Sequence, residues 1–141
     1  MCIRDRAKIE VSYSSQDAAG LDAFAEGRSR ACFGKTFEIP MLAMFCVAMR
    51  RSLLDAVGLL DERFEVGMFE DDDFSRSVRK AGCRVVCAED VFIHHVGGAS
   101  FKKLKPEIYQ QLFERNRAKF EAKWGEPWVP HRYRANSSCS S

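Results

Sequence analysis

From Met68 to Val86 the sequence reads MFEDDDFSRSVRKAGCRVV. Four consecutive carboxylates, Glu70 to Asp73, open a segment in which Phe74, Val78 and Ala81 recur at i, i+4 and i+7. That spacing lines one face of an α-helix, and Gly82 supplies its stop. The following CRVVCA (83–88) reads as a short strand, with Cys83 and Cys87 on one face. VFIHH (91–95) reads as a second strand-like segment, set off by Glu89 and Asp90 and followed by a turn at Gly97-Gly98.

Outward from this stretch, helical and strand-like segments alternate, which is an α/β pattern. KIEVSY (8–13) alternates Ile9, Val11 and Tyr13 with polar residues and predicts a half-buried strand, after which Ser14 or Ser15 offers a helix cap. From Asp17 to Phe33 the positions Ala18, Leu21, Phe24, Ala25 and Ala31 predict a helix stopped by Gly34. FEIPMLAMFCVAM (37–49) is almost continuously apolar and predicts a strand buried on both faces, with Pro40 confined to its beginning. Ser52 to Val57 predicts a short helix capped by Ser52 and closed by Gly58, and LLDERFEVGMF (59–69) a loop anchored by Leu59, Leu60, Phe64 and Phe69. Past Pro106, Ile108, Leu112, Phe113, Phe120 and Trp124 describe a long amphipathic helix ending at Gly125.

The whole chain is 141 residues with 46% hydrophobic and 30% charged residues and a formal net charge of +2. At this length about two-thirds of the extended chain's surface can be buried, so a core needs no staples. Near-zero net charge argues against a nucleic-acid partner, and no apolar run approaches the roughly 20 residues that span a bilayer. Cys2, Cys32, Cys46, Cys83, Cys87 and Cys139 form no paired CxxC knuckles, so most read as core filler. Lys102, Lys103 and Lys105 read as a solvated face, with anionic lipid or a diphosphate as the alternative.

Chemistry concentrates in two places. Four adjacent carboxylates repel one another, and the simplest account is a solvated helix start favoured by the helix dipole. Their approach, EVGMF (65–69), is apolar and glycine-containing, so the run emerges from a buried segment, where carboxylates want a cation, a sugar hydroxyl or a proton. At 100° per residue Glu70, Asp73 and Phe74 point roughly together, while Asp71 and Asp72 lie on other sides. A carboxylate on this first turn stays ionised through the dipole and gains basicity when desolvated, which suits a general base for an alcohol. The second place is His94-His95 ahead of Gly97-Gly98. Adjacent histidines on a strand face opposite ways; His94 reads as structural, and His95 stands before a turn whose amides suit a phosphate.

FCVAMRR (45–51), VGLLDERF (57–64), the 68–86 block and VFIHHVGGASF (91–101) together resemble the C-terminal half of a family 2 glycosyltransferase with the GT-A (nucleotide-diphospho-sugar transferase) fold. KPEIYQQLFERNRAKFEAKWGEPW (105–128) is similar to extensions of bacterial members that act on cell-surface polysaccharide. The resemblance implies a partial GT-A fold closed by a long C-terminal helix. It implies Asp71 as the catalytic base that takes the proton of an acceptor hydroxyl, with inversion at the anomeric carbon of a nucleotide sugar. Glu70 and Asp73 would bind the acceptor, and Arg76 or Arg79 would anchor the helix. A divalent metal, Mg or Mn, would be held by His95, with His94 as the fallback, and act as a Lewis acid on the departing diphosphate.

The family's donor-binding strands and Asp-x-Asp metal motif belong upstream. Here the one Asp-x-Asp triplet is Asp71-Asp72-Asp73 inside the acidic run. The resemblance therefore implies a fragment: residues 7–133 as the acceptor-side half, 1–6 (MCIRDR) as a non-native leader and 134–141 as a disordered tail. It implies a nucleotide-sugar donor bound through a missing N-terminal half, a saccharide or glycan acceptor and no nucleic acid. The expected place is the cytoplasm, with peripheral association at the inner face of the membrane left open. A different class, a non-catalytic carbohydrate- or protein-binding module, would use Trp124, Trp128 and Tyr133 as stacking surfaces.

Overall fold

The computed structural model describes residues 9, 11–14, 16–65, 67–95 and 104–131. The leader, the Gly97-Gly98 turn, Lys102, Lys103, Tyr133 and the tail lie outside them. Among the described residues, four α-helices and a two-stranded antiparallel sheet make up a small mixed fold, roughly α/β, and the chain divides into two compact units. Among the described residues, the first unit takes those up to Ile39 and those from Val86 to His95; the second takes Pro40 to Val85 and residues 104–131.

In the first unit, α1 (Ala18–Ala31) is started by Asp17, whose carboxylate accepts the Gly20 N–H at 2.9 Å. Asp17 therefore does the capping expected of Ser14 or Ser15. The chain leaves through Gly34, at φ +69°. β1 (Thr36–Glu38) pairs antiparallel with β2 (Val86–Ala88), Phe37 standing opposite Cys87. The Gly34 N–H donates to Asp90 (2.9 Å) and the Glu89 N–H to the Lys35 carbonyl (2.9 Å), which fixes the ends of the ribbon.

The second unit holds α2 (Arg51–Val57), a single 3-10 turn (Glu62–Phe64), α3 (Glu70–Lys80) and α4 (Pro106–Trp124). Its core is Phe64, Phe69 and Phe120, against which Met68, Phe113, Trp124 and Trp128 pack. The Phe69 ring lies 5.1 Å from Phe113, 5.7 Å from Phe120 and 5.3 Å from Trp128, the spacing of favourable aromatic pairs. Gly125, at φ +69°, ends α4 where expected.

Several expectations need correcting. The strand over 37–49 stops at Glu38. Pro40 removes a ladder donor, and the amides that would continue the ladder go to α3: the Leu42 N–H donates to Ser75 Oγ (2.8 Å) and the Met44 N–H to Asp71 Oδ1 (3.3 Å). Within that run Met41 is buried while Phe45 is 52% exposed, so it does not lie between two layers. The described residues of KIEVSY and VFIHH form no strand, and CRVVCA narrows to three residues. Ser52 lies inside the first turn of α2; Arg50 holds the cap position without a side-chain bond. Cys46 and Cys83 are exposed and Cys87 half-buried, and Cys32, though buried, is disulfide-bonded, so none of the described cysteines is plain core filler. Among the described residues no helix is long and apolar enough to cross a membrane.

Candidate functional site

The backbone entering α3 is unusual. Gly67, Met68 and Phe69 take φ values of +122°, +68° and +75° in succession. For the two non-glycine residues such a conformation costs on the order of 1–3 kcal/mol each and persists only where the surroundings over-determine it. Asn116, wholly buried on α4, does so: its amide donates to the carbonyls of Phe64 (2.8 Å) and Gly67 (2.8 Å), with Met68 at 3.4 Å. Phe69, 3% exposed, pins the same turn into the core. Of the described residues in the approach to the acidic run, Phe69 is buried, Gly67 and Met68 are half-buried and Glu65 is exposed.

The run is buried too, with Asp71, Asp72 and Asp73 at 5%, 9% and 3% exposure. A solvated helix start is excluded for these three, and each finds donors within the chain. Asp73 receives the Lys123 ammonium (2.8 Å) and the Trp124 indole N–H (2.9 Å). Asp72 accepts the Trp128 indole N–H (3.3 Å) and pairs with His131 Nε2. Asp71 faces residues 42–44, where its Oδ1 accepts the Met44 amide and its carbonyl accepts the Ser75 hydroxyl (2.6 Å).

Glu70 differs. Its Oε2 is buried and meets no hydrogen-bond partner among the described residues. Burial pushes its carboxyl above the usual range; a bond from its own amide opposes this, and the Asp72 charge adds to it. Of the candidates, Glu70 is the one the structure leaves chemically unsatisfied. Asp73, expected beside Glu70 at an acceptor, instead has both carboxylate oxygens engaged by α4. The clamp is reinforced at Lys123, which bonds Asp61 (2.7 Å) as well. Burial pulls the Lys123 ammonium down, yet its bonds to Asp61 and Asp73 carry it above its ordinary value, and Lys123 holds Asp61 at about 2.

His94 and His95 belong to the first unit and the acidic run to the second. His94 Nδ1 shares a 2.7 Å hydrogen bond with the Tyr13 hydroxyl, in an aromatic group with Phe24 and Phe92, which is the structural role expected of it. His95 is exposed. Among the described residues no group of three or more His, Cys, Asp or Glu side chains forms a metal-holding set.

Three residues in the second unit escaped the sequence reading. Asn116 carried a signal, a polar residue four after Leu112 and four before Phe120 on the apolar stripe of α4. Lys123 and His131 carried none, because their roles come from tertiary placement. Arg76, expected to anchor α3, pairs with Glu126 and lies 5.0 Å from the Trp124 ring centroid. Neither a protein-family model, nor a curated protein, nor a solved structure matches the chain.

Proposed function

We propose that this chain is the acceptor-side half of an inverting glycosyltransferase of the family 2 type, with a partial GT-A fold, working on cell-surface polysaccharide. The observation that carries the reading is Glu70 Oε2, an oxygen shut off from solvent and without a hydrogen-bond partner among the described residues, at the first turn of α3 beside the buried Asp71. The sequence likeness of the 68–86 block supports it, as does the strained turn that presents this helix start. In this reading the acceptor hydroxyl gives its proton to Asp71 as its oxygen bonds to the anomeric carbon. The bond from that carbon to the nucleotide diphosphate breaks on the opposite side, and configuration inverts. Glu70 orients the hydroxyl. Asp73 serves the site from behind by fastening α3 to α4.

The test is a transferase assay on the protein that carries this chain, with a panel of nucleotide sugars and saccharide acceptors. D71N lowers kcat by about 100-fold or more, the range of a lost general base, and leaves nucleotide-sugar binding intact. E70Q raises KM for the acceptor more than it lowers kcat. Turnover unchanged in D71N overturns the assignment.

A further inference from the structure

Ser75, 1% exposed on α3, has a hydroxyl engaged on both sides. An amide N–H can only donate, so Ser75 Oγ accepts from Leu42 at 2.8 Å; a carbonyl can only accept, so the hydroxyl proton goes to the Asp71 carbonyl at 2.6 Å. A bond back to the fourth preceding carbonyl is ordinary for a serine inside a helix. Ser77 makes the same bond, to the Asp73 carbonyl (3.1 Å), and its hydroxyl reaches no other segment among the described residues. What sets Ser75 apart is its hold on a segment 33 residues away.

That hold bears on Asp71. We propose that Ser75 is a positioning residue for this carboxylate: by fixing residues 42–44 against α3 it keeps the Met44 N–H on Asp71 Oδ1. The inference rests on the assignment of Asp71 as the base. Both partners of each bond lie in the second unit. Asp71 and Ser75 stand at i, i+4, about 6 Å apart along the helix, and two residues of chain reach at most about 7 Å, so amides two apart match acceptors four apart. The Met44 bond, at 3.3 Å, is at the long end for N–H to oxygen, whereas the Leu42 bond is short and well inside the range. The shorter bond therefore sets the register and the longer one follows it. An N–H held on one carboxylate oxygen orients the group, and orientation is what a base needs before it meets a hydroxyl. Ser75 is shut off from solvent, so it acts through Met44 and not on the substrate.

Amide hydrogen exchange on the full chain reads the contact without an enzyme assay. In Ser75→Ala the Leu42 and Met44 amides both exchange about tenfold faster or more, while amides in the middle of α4 keep the parent's rates. Ser77→Ala, which removes the matching bond to Asp73, leaves Leu42 and Met44 unchanged. Should Ser75→Ala lose the fold, Ser75→Cys, similar in shape with a weaker donor and acceptor, is read in the same way. In the transferase assay Ser75→Ala lowers kcat about tenfold, less than D71N, and leaves KM for donor and acceptor unchanged, because the base is displaced and no substrate contact is lost. A Met44 amide that keeps its parent rate in Ser75→Ala, or a kcat unchanged there while D71N loses turnover, overturns the positioning role and leaves the assignment of Asp71 standing. Turnover unchanged in D71N overturns that assignment and the proposal with it, a failure set apart by a Met44 amide that still responds to Ser75→Ala.

Discussion

α1 and α3 run to 14 and 11 residues, and their burial is the reverse of what their compositions suggest. α1 carries five alanines with Leu21 and Phe24, yet none of its residues is fully buried. α3 opens on four carboxylates and buries six of its residues, three of them aspartates. Alanine methyls remove little apolar area from water, so nothing forces α1 to be covered. A carboxylate goes inside only where donors meet it, and around α3 they do: an ammonium, two indoles, an imidazole and a backbone amide. Burial here follows the supply of partners rather than hydropathy.

The sharpest way to break that contrast is to remove what presents α3. Asn116→Ala strips the amide from carbonyls that keep Gly67 to Phe69 at positive φ, leaving buried acceptors unpaired and a strained turn unsupported. We expect a loss of about 3 kcal/mol in urea unfolding, the sum of an unsatisfied buried polar group and released packing. A loss under about 1 kcal/mol would mean the turn is held by Phe69 alone. Next in size is Asp73→Asn, which keeps the shape and the indole bond but removes the charge that Lys123 faces. Asp73 is 3% exposed while the Lys123 side chain is 25% exposed, so solvent tempers the penalty to about 2 kcal/mol. Lys123 keeps its bond to Asp61 in this variant, so the cation is not stranded and the loss stays at that size.

How far the sequence could show this differs by element, for physical reasons. α3 and α4 were legible because their apolar positions keep a 3.6-residue period and a glycine at positive φ closes each of their C-terminal ends, Gly82 and Gly125. The acidic run was legible as chemistry, while the donors that allow its burial come from residues distant in sequence. The 37–49 segment misled because an unbroken apolar run carries no period; with Pro40 inside it, local turns and bonds to α3 outcompeted a ladder. Lys123 and His131 were invisible because each meets its carboxylate across 50 or more residues, 50 for Lys123 with Asp73 and 59 for His131 with Asp72.

Acidity separates the satisfied carboxylates from the unsatisfied one. Glu70 in the folded chain sits above its ordinary 4.5, so its ionised form is disfavoured by folding. That cost is absent below the ordinary range and grows as pH rises through the folded value. Glu70→Gln therefore raises the thermal midpoint at pH 7, by less than Asp73→Asn lowers it, and the gain fades below about pH 4. Asp61 has the opposite sign: held at about 2 by Lys123 against an ordinary 3.8, it adds stability above pH 3.8 that is lost as pH falls toward 2. Asp61→Asn flattens the wild-type decline between those values. A Glu70→Gln midpoint that falls at pH 7 would show its orphan oxygen to be a needed acceptor.

The smallest effect belongs to α1 and tests the comparison from its other end. Arg30 and Glu26 form an i, i+4 pair at 3.3 Å, the same chemistry as Lys123 with Asp73, but their side chains are 78% and 71% exposed. In water such a pair contributes about 0.3–0.5 kcal/mol. Glu26→Ala removes it and gains a few tenths of a kcal/mol, because alanine is the better helix former. The two terms nearly cancel, and the unfolding midpoint stays within about 0.3 kcal/mol of the parent. Identical charge chemistry then yields about 2 kcal/mol inside α3 and almost nothing on α1. A Glu26→Ala loss above about 1 kcal/mol would place that face of α1 against a cover that raises the pair's worth, and the contrast between the two helices would fail.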